Sequence, residues 1–336
     1  MSAKTSSDFL DFLTDCGEAD AHLLPLPGDA SARRYYRLEG RGRMLMEDRL
    51  DPVGFAGFIR VAGHLSDLGL SAPQVYGADP DKGVALIEDF GTRTYSVQLA
   101  AGRDEAALYA LAVDALLHLH HQPKAIDVDV PEYDVATFLD ELSIFSQWFA
   151  PVLRPELDPS AFDAAFRQMW LSSLGPLLGG PHTLVLRDFH VDNLMELDGR
   201  DGVRRCGLLD FQDAVVGLPE YDLVSLLQDA RRDLAPGLEQ AMLERYIASA
   251  PQGAGGQSEI LRRYHLLGAQ RHTRIAGVFL RLNLRDGKPG YLRFLPRVLR
   301  QMETALQAAG LREIAAFLDR ELPGWRQAGP TLAGSA

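Results

Sequence analysis

The sequence predicts an α+β protein with two lobes. The first, at residues 1–91, is small and mostly antiparallel β, and the second, at residues 92–336, is larger and mostly α-helical. Three observations predict this. Short β-like stretches crowd the first 91 residues, Ala/Leu periodicity typical of helices dominates the rest, and a β-like insert interrupts the helices at 183–213. A chain of 336 residues is long enough for two cores, and we expect a cleft at their junction.

The first lobe begins with a short amphipathic helix at 6–16, followed by a strand, loop, strand, turn and strand at 23–47. Asp51 followed by Pro52 predicts the start of a helix. The Asp side chain can accept from exposed amides there, and Pro has no amide to leave unpaired in the first turn. This helix should run to Leu68 and stop at the next residue, Gly69.

Two more strands, PQVYGAD and GVALIEDFG, complete the first lobe. The pattern of the second lobe predicts helices at 104–121, 136–149, 160–178, 221–248 and 258–282. Between them, the insert predicts a short strand at 183–186, a polar loop, and a hairpin that turns at 198–202.

Composition excludes several classes of protein. Against 34 Lys and Arg stand 46 Asp and Glu, a net charge of −12, and this balance disfavours nucleic acid as a partner. Cys16 and Cys206 lack ligand-spaced partners, so neither a disulfide framework nor a zinc site is expected. No apolar run approaches the roughly 18 residues that span a membrane, and the start does not resemble a secretory signal. We expect a cytoplasmic protein that binds no membrane.

The polar loop of the insert carries the candidate chemistry. Asp188 is followed five residues later by Asn193, and Asp210 ends a strand 22 residues after Asp188. Phosphoryl transfer needs a carboxylate that takes the proton of the acceptor hydroxyl and oxygen ligands that hold Mg²⁺ against the phosphates. Asp188 fits the first need, and Asn193 with Asp210 fits the second.

With these residues in view, the chain resembles the aminoglycoside phosphotransferase and choline kinase family, over nearly its whole length. The resemblance rests on GDASARRYYRL, EDFG, LRDFHVDN, LLDFQDA and RLNLRDGKPGYLRFLPRVL. It implies a protein-kinase-like fold, ATP and Mg²⁺ as cofactors, and Asp188 as the catalytic base. The family's loop commonly begins His-Gly-Asp, whereas this chain has Leu186 and Arg187 before the Asp.

Within the family, the motifs are most similar to the bacterial anomeric kinases of N-acetylmuramate and N-acetylglucosamine. That similarity implies a small-molecule sugar substrate and a sugar 1-phosphate product, made in peptidoglycan recycling and passed to a uridylyltransferase. Two alternatives stay open. One is a phosphotransferase for an aminoglycoside or another small alcohol, and the other is a nucleotide-binding pseudokinase that acts by interaction.

The nucleotide is expected to contact a small-residue loop and an arginine. The loop residues Gly28, Asp29, Ala30 and Ser31 let backbone amides approach a phosphate. The strand lysine of kinases is absent, because MLMED offers Met46 instead, and the helix at 52–66 has no carboxylate to pair with one. Arg33 or Arg34 is the expected replacement, and strand alternation should direct only one of the two inward.

The remaining candidates line the adenine and the acceptor. By resemblance, the connector residues Glu88, Asp89 and Phe90 pass the adenine ring. The candidate acceptor contacts are His190, Gln212, Asp213, Arg271 and Arg274. If several arginines of the late helices face the cleft, they suit a neutral or anionic sugar, whereas a polycationic aminoglycoside would favour carboxylates. The alternative is that these arginines form a solvated helix face.

Overall fold

The computed structural model describes residues 7–27, 33–177 and 179–333. The chain forms two compact units, Met1–Pro131 with Leu186–Val215 and Glu132–Val185 with Val216–Ala336. The predicted lobe boundary at residue 91 falls inside the first unit, which also takes in the loop and hairpin at 186–215. All three residues of the predicted phosphoryl-transfer chemistry therefore belong to one unit.

The described part of the chain contains groups of short strands separated by groups of helices. The strands are β1 (Leu23–Pro25), β2 (Arg34–Leu38), β3 (Arg43–Glu47), β4 (Val75–Asp79), β5 (Val84–Glu88), β6 (Thr183–Val185), β7 (Leu194–Glu196), β8 (Cys206–Leu208) and β9 (Val215–Gly217). The α-helices are α1 (Ser7–Asp15), α2 (Pro52–Asp67), α3 (Tyr95–Ala100), α4 (Glu105–His120), α5 (Val135–Ile144), α6 (Ala150–Leu153), α7 (Pro159–Leu174), α8 (Glu220–Leu227), α9 (Leu238–Ala248), α10 (Gln257–Leu284), α11 (Leu295–Ala308), α12 (Arg312–Glu321) and α13 (Ala328–Ala333). None of these helices is long and apolar enough to cross a membrane.

An antiparallel sheet dominates the first unit. Its strand order is β1-β2-β3-β5-β4, which confirms the five predicted strands. Helix α1 lays Phe9, Phe12 and Leu13 against the strand residues Leu45 and Leu86, which are fully buried. The apolar face of α1 and the alternating apolar residues of the sheet thus close one small core.

Helix α2 begins as its sequence predicts. The Asp51 carboxylate accepts from the Gly54 amide at 2.8 Å, and Pro52 occupies the first turn. The buried face of α2 includes Gly57, where a Cβ would lie 2.8 Å from the carbonyl oxygen of Gln212. Only glycine lets the helix approach the backbone beyond Asp210 so closely.

The hairpin of the insert pairs β7 with β8, with Leu194 opposite Leu208. Its connection is longer than the predicted turn at 198–202, because a 3₁₀ turn at Gly202–Arg205 follows. Strands β6 and β9 pair in a separate two-stranded sheet. The hairpin brings the end of the polar loop beside the strand that precedes Asp210.

Helices make up most of the second unit, and three of the predicted ones need correction. The single helix predicted at 221–248 is wrong, because it is two helices, α8 and α9. Pro236 and Gly237 come directly before α9, and Gly237 has a left-handed φ of 81°. The helix predicted at 136–149 changes after Ile144 into a π-helical turn at Phe145–Phe149, and the one predicted at 160–178 gives way to a 3₁₀ turn at Gly175–Leu177.

Candidate active site

Two tight backbone turns shape the loop that carries Asp188. The Asp188 amide donates to the Leu186 carbonyl at 2.8 Å, and the Asp188 carbonyl accepts from the His190 amide at 3.0 Å. Arg187 has a left-handed φ of 68°, which is rare for a residue with a side chain. Backbone conformations of this kind cluster at functional sites, where the surrounding structure enforces them. The half-buried Asp188 is therefore held in a defined position.

The hairpin unites Asn193 with both aspartates. The Asn193 Nδ2 donates to the Asp188 carbonyl at 3.0 Å and to the Asp210 Oδ2 at 3.3 Å. The backbone fixes the same contact, since the Leu209 amide donates to the Asn193 carbonyl at 3.0 Å. The Asn193 side chain thus contacts the backbone of Asp188 and the carboxylate of Asp210, within the first unit.

Asp210 is the second residue with a side chain and a positive φ, at 60°. With Arg187 it completes the set of such residues in the described part of the chain. The left-handed residue lies two positions after the end of β8, and its carboxylate is exposed. Both departures from ordinary backbone geometry therefore lie within one residue of a predicted catalytic or metal-binding group.

The donor set suits magnesium. Because its amide hydrogens are used toward Asp188 and Asp210, Asn193 has its side-chain oxygen left for a cation, and Asp210 adds a carboxylate. Mg²⁺ prefers oxygen ligands and is usually bound by one or two protein groups together with substrate phosphates and water. The described residues contain no cluster of three or more His, Cys, Asp or Glu side chains, which a self-sufficient metal centre would need. The pair therefore fits a metal that arrives with a nucleotide.

Arg33 and Arg34 differ sharply in environment. The Arg33 side chain is 7% exposed, whereas that of Arg34 is 70% exposed. Arg33 donates from Nε to the Asp48 Oδ2 at 2.8 Å and from Nη1 to the Gln212 Oε1 at 2.9 Å. Burial disfavours its charge, but Tyr35 and Asp48 outweigh that effect and raise the pKa of Arg33. Two hydrogen bonds, through the side chain of Gln212, thus connect the Arg33 cation to Asp210.

Sequence reasoning missed Asp48. The sequence shows no carboxylate at residues 52–66 of α2 that could pair with a cation of the strand. The carboxylate that pairs with Arg33 belongs instead to Asp48, which follows β3 and is 4% exposed. Met46 is buried in β3 and provides no charge. The signal was the acidic pair at the end of MLMED, where one of two neighbouring carboxylates points inward. An Arg–Asp pair built from strand ends occurs here in place of a Lys–Glu pair.

The connector at 88–91 is tied down by ion pairs. Asp89 pairs bidentately with Arg37, and Glu88 pairs with Arg200, whose guanidinium lies 5.1 Å from the Phe90 ring centroid. The amides of Glu88 and Asp89 donate to the Gln74 and Gly42 carbonyls at 2.8 and 3.1 Å. These amides are therefore occupied, and the adenine contact of Glu88, Asp89 and Phe90 stays a prediction.

The remaining predicted site residues fall into three groups. Gly28, Asp29, Ala30 and Ser31 lie outside the described residues. His190 is buried, with its Nε2 3.4 Å from the Asn193 amide nitrogen, and the exposed Asp213 lies 3.5 Å from the Gln212 Nε2.

Arg271 and Arg274 belong to the second unit and already have protein partners. Arg271 is buried, donates to the Ser225 hydroxyl at 2.7 Å and lies 5.5 Å from the Tyr221 ring centroid. Arg274 lies 3.5 Å from a carboxylate oxygen of Glu141. Their contact with an acceptor remains a prediction.

The Asp188 loop, the oxygen-bearing side chains of Asn193 and Asp210 and the buried Arg33 guanidinium are the groups that phosphoryl transfer is expected to need. The sequence pattern of the phosphotransferase enzyme family matches residues 22–259. The N-acetylmuramate/N-acetylglucosamine kinase of Caulobacter vibrioides is 36% identical, over 93% of this chain and 95% of its own length. The chain belongs to the phosphotransferase enzyme family and is an ATP-dependent phosphotransferase.

Solved structures agree in fold. The ADP-bound aminoglycoside phosphotransferase APH(2'')-Ib has a TM-score of 0.61 at 16% identity, over 90% of this chain and 99% of that one. The choline kinase LicA from Streptococcus pneumoniae has a TM-score of 0.57 at 16% identity, over 91% of this chain and all (100%) of that one. At this identity they show the fold alone, and they confirm the predicted two-lobed, protein-kinase-like α+β class.

Proposed function

We propose that this phosphotransferase is a sugar kinase that phosphorylates the anomeric hydroxyl of N-acetylmuramate, N-acetylglucosamine or both. The similarity to a kinase named for these two sugars, over nearly the full length of both chains, supports the choice of acceptor. The observation that carries the chemistry is the set of contacts from Asn193 to the Asp188 carbonyl and the Asp210 carboxylate. One amide therefore ties the backbone of Asp188, at 3.0 Å, to the carboxylate of Asp210, at 3.3 Å, and this supports action of both residues on one phosphoryl group.

In the proposed reaction, the Asp188 carboxylate accepts the proton of the anomeric hydroxyl while that oxygen attacks the γ-phosphorus of ATP. A new P–O bond forms to the sugar, and the bond between the γ-phosphorus and the β,γ-bridging oxygen breaks. ADP leaves with the electron pair of that bond. The products are the sugar 1-phosphate and ADP, and the proton rests on Asp188 until solvent removes it.

The other residues supply position and charge. Asn193 and Asp210 would hold Mg²⁺, which when bound neutralises phosphate charge. Arg33 would bind phosphate oxygens from the opposite end of the network, since a guanidinium can grip two oxygens and stays charged. Positioning and charge neutralisation of this kind account for most of the catalysis of phosphoryl transfer.

A sugar 1-phosphate implies a following step. A uridylyltransferase would transfer the uridylyl group of UTP to it, giving a nucleotide sugar and releasing pyrophosphate, so we place the reaction in peptidoglycan recycling. ATP and UTP are both cytoplasmic nucleotides, so we propose that the protein acts in the cytoplasm.

The test is ADP release with four acceptors, N-acetylmuramate, N-acetylglucosamine, an aminoglycoside and choline, followed by phosphorus NMR of the product. We expect a sugar 1-phosphate signal from at least one amino sugar, and loss of that signal when EDTA removes Mg²⁺. Turnover with the aminoglycoside or choline alone would refute the acceptor. ATP binding without Mg²⁺-dependent turnover of any acceptor would favour a pseudokinase.

Asp188→Asn tests the base. We expect turnover to fall by about 10²- to 10⁴-fold, because the amide cannot take the proton, while ADP binding stays close to wild type. Near-normal turnover of this variant would refute the role of Asp188.

A further inference from the structure

The carboxamide of Gln212 bridges two charged groups of opposite sign. Its Oε1 accepts from the Arg33 Nη1 at 2.9 Å, and its Nε2 donates to the Asp210 Oδ1 at 2.8 Å. Only an amide side chain of this length offers an acceptor and donors at the same end. A glutamate would repel Asp210, and a lysine would repel Arg33.

Packing from α2 fixes the bridge in place. The Phe58 ring stacks on Phe211 with centroids 5.2 Å apart, and the Arg33 guanidinium lies 5.7 Å from the Phe58 centroid. The helix backbone at Gly57 reaches the Gln212 carbonyl with no room for a Cβ. Residues 211 and 212 are thus held from the side and from the backbone, so the amide has little freedom to turn away.

The bridge also settles how each oxygen of Asp210 is held. Gln212 donates to Oδ1, and Asn193 donates to Oδ2 at 3.3 Å. If Arg33 paired directly with Asp210, the strong guanidinium–carboxylate bonds would compete with a metal ion for the same oxygens. A neutral amide keeps the cation near while it leaves lone pairs of both oxygens available.

We propose that Gln212 is a positioning residue that couples the phosphate-binding Arg33 to the metal-binding Asp210. The inference rests on the proposed function for the roles of those two residues, and it assigns Gln212 a contact other than the acceptor contact predicted from the sequence. The pair Arg33–Asp48 anchors one end of the chain of contacts, and Asp210 is the other end. Phosphate binding at Arg33 and Mg²⁺ binding at Asp210 are then energetically coupled.

The experiment is a double-mutant cycle of Arg33→Lys and Gln212→Met. Lysine keeps the charge beside Asp48 but lacks the second nitrogen that reaches Gln212, and methionine keeps the volume of glutamine without its hydrogen bonds. The measurement is the Mg²⁺ concentration that half-saturates ADP binding, by calorimetry. Partners of metal ligands typically contribute 10- to 100-fold to metal affinity, so we expect each single variant to raise this concentration about tenfold.

Coupling through Gln212 predicts that Arg33→Lys has little further effect in the Gln212→Met background. Gln168→Met, which changes an exposed glutamine on α7, is the control for the substitution and should match wild type. Effects that multiply instead would overturn the inference, whether or not any sugar is phosphorylated. Acceptor turnover is a separate measurement, so failure of the proposed function is distinguishable.

A ligand-free readout repeats the cycle. Hydrogen exchange of the peptide at 206–213 should rise in each single variant and no further in the double variant, because both substitutions release the same bridge. Unchanged exchange in Gln212→Met would also overturn the inference.

Discussion

The approach of α2 to the Gln212 backbone predicts opposite outcomes for two glycine substitutions in one helix. A Cβ at Gly57 would lie 2.8 Å from the Gln212 carbonyl oxygen, whereas a Cβ at Gly63 meets nothing within 4 Å. Both glycines lie in the interior of α2. Alanine at either position gains about 0.5–1 kcal/mol of helix stability. At Gly57 that gain is opposed by about 1–3 kcal/mol of overpacking, since backbone must move.

We therefore expect Gly57→Ala to lower the free energy of opening of α2 by about 1–2 kcal/mol and Gly63→Ala to raise it by about 0.5–1 kcal/mol. Hydrogen exchange of peptides from α2 and from 206–213 is the suitable measurement, because Trp148, Trp170 and Trp325 all lie in the second unit and fluorescence would report on that unit. The expected loss corresponds to exchange about 5- to 30-fold faster.

The Gly57→Ala variant should also need more Mg²⁺ for ADP binding, because the displaced backbone carries Gln212 away from Asp210. Equal exchange in the two alanine variants would refute the close approach of helix and loop. Slower exchange in Gly57→Ala than in wild type would refute it too.

Two further predictions concern buried charge and buried histidine. Asp48→Asn should cost about 3–5 kcal/mol of unfolding free energy, because it leaves the Arg33 cation buried without a carboxylate, while Asp20→Asn, which removes the exposed pair with Arg41, should cost about 1 kcal/mol or less. Urea titration followed by circular dichroism checks this, and equal effects of the two variants would contradict it. Burial lowers the pKa of His120, with a smaller effect from His121, to about 3. Since the unfolded chain binds this proton near pH 6.5, stability should fall as pH drops from 7 to 5, by about 2 kcal/mol for this group. His120→Gln should remove that part of the pH dependence, and the exposed His121→Gln should keep it; an unaltered pH dependence in His120→Gln would contradict the burial argument.

Local patterns predicted much of the fold. Asp51 and Pro52 start α2 because a cap depends on neighbours three residues away. Only one of Arg33 and Arg34, at the start of β2, is buried, as alternation along an extended chain predicts. The spacing of Asp188, Asn193 and Asp210 was informative because the residue pattern already predicted a strand before the loop and a second strand that ends at Asp210.

Contacts between distant residues escaped prediction. Arg33 and Gln212 are 179 residues apart, and nothing in either local sequence indicates that their side chains meet. The break between α8 and α9 is a different case. Pro236 and Gly237 were visible in the sequence, but the apolar periodicity on both sides favoured one continuous helix. The periodicity over the whole range 221–248 was given more weight than the two helix-breaking residues within it.

The left-handed backbone conformations at Arg187 and Asp210 bring the thermal stability of the protein into conflict with its catalytic turnover. Such a conformation costs a residue with a side chain about 1–3 kcal/mol and costs glycine almost nothing. Selection or engineering for heat resistance alone would therefore favour glycine at both positions, and at Asp210 that exchange would delete a proposed magnesium ligand. Thermal improvement of this protein is better sought at open helical positions such as Gly63, far from the two turns in sequence and free of neighbours around the added methyl group.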